Sequence, residues 1–178
     1  ENRDEQLYDH GLDQLSRRLA DGRPCFLSIT TLMNHGDHRR RIFPVDRHAE
    51  LRREAVAATG VASYGEYVVR LAESVTAYAS FRKRLEVLLD GQPAIIIRYG
   101  DHQPSFTTSL TGLPPSDLAL RETFYALEPI NGELPDDLPT PPVLDSAFLS
   151  TLTLLAAGLP LDPVAASAHP AWLLSALQ

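Results

Sequence analysis

Apolar positions along the chain fall into two periods, and the switches between them mark out the elements. Leu7, Tyr8, Leu12, Leu15 and Leu19 recur every three or four residues among Asp4, Glu5, Asp13, Arg17 and Arg18. That spacing predicts an amphipathic helix with one buried face. Asn2 followed by Glu5 is its start signal, Gly22 its stop, and Pro24 prevents continuation. The longest periodic stretch carries Tyr64, Tyr67, Val68, Leu71, Val75, Tyr78, Phe81, Leu85, Leu88 and Leu89 on one stripe, with Glu66, Arg70, Glu73, Lys83 and Glu86 off it. A long helix with its tyrosines in a core and its charges in water is expected. Ser63 with Glu66 reads as a capping box and Gly91 as the terminator.

Two runs have the other character. Cys25-Phe26-Leu27-Ser28-Ile29-Thr30-Thr31-Leu32 and Ala94-Ile95-Ile96-Ile97-Arg98-Tyr99 are short, apolar and rich in β-branched residues, which predicts strands buried on both faces. With a helix between them they imply a strand–helix–strand crossover, parallel neighbours and an α/β layered fold. Residues 37–53 are polar and supply Arg39, Arg40, Arg41, Arg47, Arg52 and Arg53; a surface excursion is expected there, with a short helix near His48–Ala58 closed by Thr59-Gly60. Arg121–Leu127 predicts a further strand. Residues 128–143, with Pro129, Gly132, Pro135, Pro139, Pro141 and Pro142, predict a loop. Asp145 is placed to cap a helix through Phe148, Leu149, Leu152, Leu155 and Ala156 that Gly158 ends, and a short terminal helix is expected over 171–177. A single domain over residues 1–178 accommodates all of this.

Composition narrows the function classes. The net charge of −7 argues against a general nucleic-acid binder. No apolar run approaches the roughly 20 residues of a membrane span, and no charged-then-apolar leader opens the chain. Cys25 is the sole cysteine, so neither an internal disulfide nor a Cys-rich zinc site is available, and its apolar run predicts a small buried hydrophobe. Met33 is the sole methionine, so the chain is expected to be a piece of a longer protein.

Candidate chemistry lies where the two apolar runs end. Asp101 and His102 offer a hard oxygen and an imidazole, a mixture that suits a divalent metal ion but needs further ligands. His35, after Asn34, is an imidazole able to hold an anionic oxygen, protonate a leaving group or bind metal. His38 and Arg39, opening an arginine run, could meet a phosphate or sulfate; for any one arginine a solvated face is the plainer reading. No P-loop, Gly-rich dinucleotide fingerprint or Gly-x-Ser-x-Gly elbow is present, and no activated serine, threonine or cysteine can be nominated.

Three motifs then stand in order: Pro24–Gly36, ending Leu32-Met33-Asn34-His35-Gly36; the tyrosine-led helix followed by Tyr99-Gly100-Asp101-His102; and Leu144–Leu161. Together, over most of residues 4–165, they resemble the sulfatase branch of the alkaline phosphatase superfamily, nearest to its lipoteichoic acid synthases and its phosphoglycerol and phosphoethanolamine transferases. The resemblance implies an α/β fold, a partial alkaline-phosphatase-like layered sheet, mostly parallel and flanked by helices. It implies that Asp101 and His102 hold a catalytic divalent metal (Mn, Zn, Mg or Ca), that His35 contacts the phosphate or sulfate, and that Asn34, His38 and Arg39 lie around the anionic ester substrate. In that family a threonine or a modified serine or cysteine takes up the transferred group with metal assistance. The family's nucleophile and first acidic ligand lie N-terminal to the Asn-His-Gly strand, where this chain has no counterpart. Nor is a later histidine matched: Pro104 follows Gln103 and the next histidine is His169.

The chain alone is therefore expected to be inactive, with further metal ligands outside it. Its parent is expected to be anchored to a membrane through its N-terminal region, with this domain extracytoplasmic, in the periplasm or at the cell surface. Open strand edges are expected to permit homo-oligomers. The competing class is a degenerate, non-catalytic binding or structural module that kept the fold.

Overall fold

The computed structural model describes residues 4–161, 163–164 and 166–167. The start signal at Asn2, the terminal helix expected over 171–177 and His169 lie outside them. The chain divides into two compact units, one built from Glu1–Asp90 with Gly100–Thr123, the other from Gly91–Tyr99 with the residues after Thr123.

In the first unit, helices α1 (Asp4–Leu19) and α2 (Ala49–Thr59) both pack on the long α3 (Ala62–Leu89). The helical stripe of α1 buries Leu12, and Tyr8 stacks on Phe81 of α3 with ring centroids 4.5 Å apart. Gly65 marks the α2–α3 crossing: a Cβ there would lie 2.5 Å from Val56 Cγ2, so only a glycine lets the helices approach this closely. Both α2 and α3 stop as their terminal residues dictate, at Gly60 (φ 71°) and at Asp90-Gly91 (φ 47° and 84°), all left-handed. A short α4 (Thr107–Thr111) follows later in the same unit.

Three expectations fail here. Ser63 caps nothing: α3 starts one residue earlier, after Val61, with no side-chain cap. Glu66 turns inward instead, accepting hydrogen bonds from the Ile42 N–H (3.1 Å) and Arg70 Nε (3.4 Å), while Arg70 donates to the Asp37 and Arg40 carbonyls. Glu66 and Arg70 are thus buried rather than solvated, and Leu71 and Val75 of the expected apolar stripe are exposed. The cause is the arginine-rich excursion. It folds back over α3, seating Phe43 with Met33 and Val69 in a core cluster, and its backbone needs buried partners.

The run from Cys25 to Leu32 is the third failure. It forms no ladder and is not a buried strand; Cys25 is exposed and Phe26 is 84% exposed. Only one of its faces is partly covered, where Leu27 and Ile29 lie on Gly11 of α1.

In the second unit, β1 (Ala94–Tyr99) pairs with β2 (Tyr125–Ile130), in register from Ala94↔Ile130 to Tyr99↔Tyr125. The pairing is antiparallel, so the parallel neighbour expected for β1 is not seen among the described residues. β2 also runs on through Pro129 into the stretch expected to be a loop. Arg98 Nε donates to Glu128 Oε1 across the pair (2.6 Å). A 3-10 turn at Ser146–Phe148, capped by the Asp145 carboxylate on the Ala147 N–H (2.9 Å), leads into α5 (Leu149–Ala156) around the fully buried Leu152. The fold is mixed helix and strand.

Candidate functional site

Asp101 and His102 follow β1 directly, and Gly100 makes the exit: a Cβ there would meet Thr123 Oγ1 at 2.0 Å. Both side chains are exposed. Asp101 Oδ1 accepts the His102 backbone N–H (2.9 Å), which fixes the carboxylate over its neighbour. His102 Nδ1 lies 2.9 Å from the Gln103 carbonyl oxygen. A carbonyl only accepts, so this contact puts a proton on Nδ1. Nε2 in turn sits 3.5 Å from Asp101 Oδ2. An imidazole nitrogen and a carboxylate oxygen bound to one tetrahedral zinc at the usual bond lengths are about 3.4 Å apart. A histidine whose second nitrogen is tied to a carbonyl is also the usual arrangement of a metal-bound imidazole. The residues present therefore fit two positions of a divalent metal site. Among the described residues no group of three or more His, Cys, Asp or Glu could complete it.

The residues after the first apolar run have diverse surroundings. His35 is exposed, and only its backbone N–H is engaged, donating to the Leu32 carbonyl (3.1 Å). No hydrogen bond or ion pair joins it to Asp101 or His102. Asn34 points inward: Nδ2 donates to Ser74 Oγ (3.3 Å), while Oδ1 is buried with no partner among the described residues. Ser74 donates onward to Asp4 Oδ2, and Asp4, 1% exposed, accepts the Leu32 and Met33 N–H groups through Oδ1 (3.0 and 2.9 Å). Asp4 thus clamps the turn that carries Asn34 and His35.

His38 is buried, edge-on to Tyr67 and Phe106 with centroids 5.4 Å from each. Its Nε2 donates to the Asn34 carbonyl (3.0 Å). Burial, reinforced by the Arg70 cation, pushes its pKa below the usual histidine value. Arg39 is exposed, but Asp37 grips it in a two-pronged pair, Nε–Oδ1 2.8 Å and Nη2–Oδ2 3.0 Å. Those bonds hold the Asp37 carboxyl down to about 2 and raise Arg39. Its charge is already matched before any anion arrives.

A second polar cluster was not marked by the sequence pattern. Glu73, mostly buried on α3, accepts from Arg47 Nε (2.5 Å) and contacts His48 Nε2 at 2.8 Å. The Arg47 hydrogen bond, ahead of the His48 contact, holds the Glu73 carboxyl below its ordinary range. His48 has a left-handed backbone (φ 51°) and, with Pro44, Asp46 and Arg47, lines a shallow cavity of about 390 Å³. No local signal gives this cluster away, since its two halves come from the arginine-rich excursion and the middle of α3.

Among the described residues, no helix is long and apolar enough to cross a membrane. Compared with protein-family models, with curated proteins and with solved structures, the chain matches none.

Proposed function

We propose that the chain is the C-terminal part of a metal-dependent, sulfatase-like domain that transfers or hydrolyses phosphoryl or sulfuryl groups on anionic esters of the cell envelope. The observation that carries this reading is the Asp101–His102 pair, with Nε2 and Oδ2 one metal-chelate span apart and the other imidazole nitrogen tied to a carbonyl. In this reading Asp101 and His102 hold the divalent ion with ligands contributed by the longer parent. The ion supplies Lewis-acid neutralisation of the transferred group's oxygens. His35, exposed and free of side-chain partners, contacts the anion, with Asn34, His38 and Arg39 shaping its surroundings. The nucleophile belongs to the parent, as does membrane attachment with the domain outside the cytoplasm. The accompanying architecture is part of a mostly parallel, alkaline-phosphatase-like layered sheet.

The test is the metal content of the full-length parent after dialysis against Mn2+ or Zn2+, compared with Asp101→Ala and His102→Ala. Each variant is expected to lose bound metal, by roughly 10–100-fold in affinity or more. Unchanged content in both sinks the assignment.

One observation favours a second reading, a non-catalytic module of the same fold. Arg39, the nearest guanidinium to the Asn34–His38 turn in sequence, is already paired with Asp37, which takes one cation out of an anion's reach there. The residues encoded upstream of Glu1 discriminate. An acidic ligand and then a Thr, Ser or Cys at a helix N-terminus favours the enzyme, and their absence the module.

A further inference from the structure

Residues 23–31 make no hydrogen bond of any kind among the described residues, through backbone or side chain. This is unusual for so long an apolar run, because backbone N–H and C=O groups are strong, obligatory hydrogen-bonding groups. The side chains nonetheless alternate as in a strand. Leu27 and Ile29 share the face on α1, where a Cβ on Gly11 would lie 3.4 Å from Leu27 Cδ2 and 2.6 Å from Ile29 Cδ1. Phe26, Ser28 and Thr30, on the other face, are all exposed. Leu27 and Ile29 thus alternate with Phe26, Ser28 and Thr30 as strand residues do, although Leu27 remains 38% exposed and the segment has no hydrogen-bonded neighbour among the described residues.

Proteins ordinarily guard such an edge with charge, a bulge or a covering element. Here no Asp, Glu, Lys or Arg occurs from Pro24 to Gly36. The sequence is also self-complementary. Antiparallel pairing about Ser28 sets Leu27 against Ile29, Phe26 against Thr30 and Cys25 against Thr31, and Ser28 meets its own copy. Residues directly opposite share a face, so the apolar Leu27/Ile29 face continues unbroken from one copy to the other. No like charges meet: Arg23 falls opposite Met33. Shifting the register by one residue would set Phe26 against Ile29 and mix covered with exposed faces. The edge formed by Cys25, Leu27, Ile29 and Thr31 keeps all its donors, whereas the opposite edge includes Pro24, which has none. Those four residues, each exchanging bonds in both directions with its opposite, would give about eight interchain hydrogen bonds.

We propose that residues 24–32 are a homodimer interface, in which the segment pairs antiparallel with the same segment of a second copy about a two-fold axis through Ser28. The dimer is independent of the metal reading: Asp101→Ala and His102→Ala chains stay dimeric.

Sedimentation of the chain across a concentration series tests this, with helical circular dichroism as the check on folding. The wild type and Ser28→Thr are expected to form concentration-dependent dimers. Ser28→Lys sets two cations face to face on the axis at an exposed position and is expected to yield a folded monomer. Thr31→Cys tests the register, since it places a new thiol opposite the partner's Cys25. Mild oxidation should then give a covalent dimer in which Cys25 of one copy is joined to the introduced thiol of the other. The same two thiols within one extended chain are roughly 20 Å apart and cannot close on each other. A wild type that stays monomeric throughout overturns the proposal, as does a Ser28→Lys dimer or covalent product joined only Cys25 to Cys25. So does a monomer whose 25–31 amides become protected only when the upstream part of the parent is added, since the strand's partner is then that segment and not a second copy.

Discussion

His38 shows how one residue's surroundings decide its chemistry. Desolvation between Tyr67 and Phe106, and then the Arg70 cation, disfavour the imidazolium; the bond to the Asn34 carbonyl and the charges of Asp37 and Glu66 oppose them without winning. The folded pKa therefore lies below 6.5. Between the two values the unfolded chain binds the extra proton, so stability rises with pH there. The stability of the first unit should be complete above pH 6.5 and decline as pH falls towards the folded value. His38→Gln keeps a donor for the Asn34 carbonyl and removes the titration. Its Tm should fall less steeply than the wild type's over the same acid range. Parallel Tm curves for the two proteins would contradict this. The burial was not legible in the sequence, where His38 read as a candidate contact for a phosphate or sulfate at the head of an arginine run. The rings that bury it come from α3 and from Phe106, far along the chain. The relation between Asp101 and His102, by contrast, is local: they are neighbours in sequence, each oriented by a bond to an adjacent peptide group.

Elements were legible where periodicity and end signals are local. The helices α1 and α3, the glycine stops, the Asp145 cap and the β-branched run of β1 all stand where those residues put them. Pairing and burial were not, because both depend on what folds back. The Cys25–Leu32 run has the composition of a strand, yet composition does not supply a neighbour. Glu66 and Arg70 looked like a solvated face until the 37–43 segment covered them. Gly65 gives the sharpest test of α2 on α3. A methyl group there meets Val56 Cγ2 at 2.5 Å and the Arg52 carbonyl oxygen at 3.0 Å, and that carbonyl, as backbone, cannot move aside alone. Gly65→Ala should therefore destabilise the chain by about 1–3 kcal/mol, despite alanine's better helix propensity. Denaturant unfolding measures it, and a variant as stable as the wild type would show that the crossing is looser than this.

At the scale of the molecule, the two compact units offer separate routes to opening. Amide exchange on Gly65→Ala should accelerate in α2 and α3 while the β1 and β2 amides keep their wild-type rates. Equal acceleration in both would mean that the units open together. The expected layered parallel sheet is the part of the fold the sequence could not establish. Parallel partners are distant along the chain and no turn residue announces them. The lone cysteine has a practical consequence at this scale. Cys25 is exposed and is the chain's single thiol, so one nitroxide or fluorophore can be attached to the unaltered sequence at one defined place. In the two-fold register about Ser28, the backbones at the two labelled positions stand roughly 20 Å apart, within reach of dipolar spectroscopy. The native chain thus carries its own ruler for its quaternary structure.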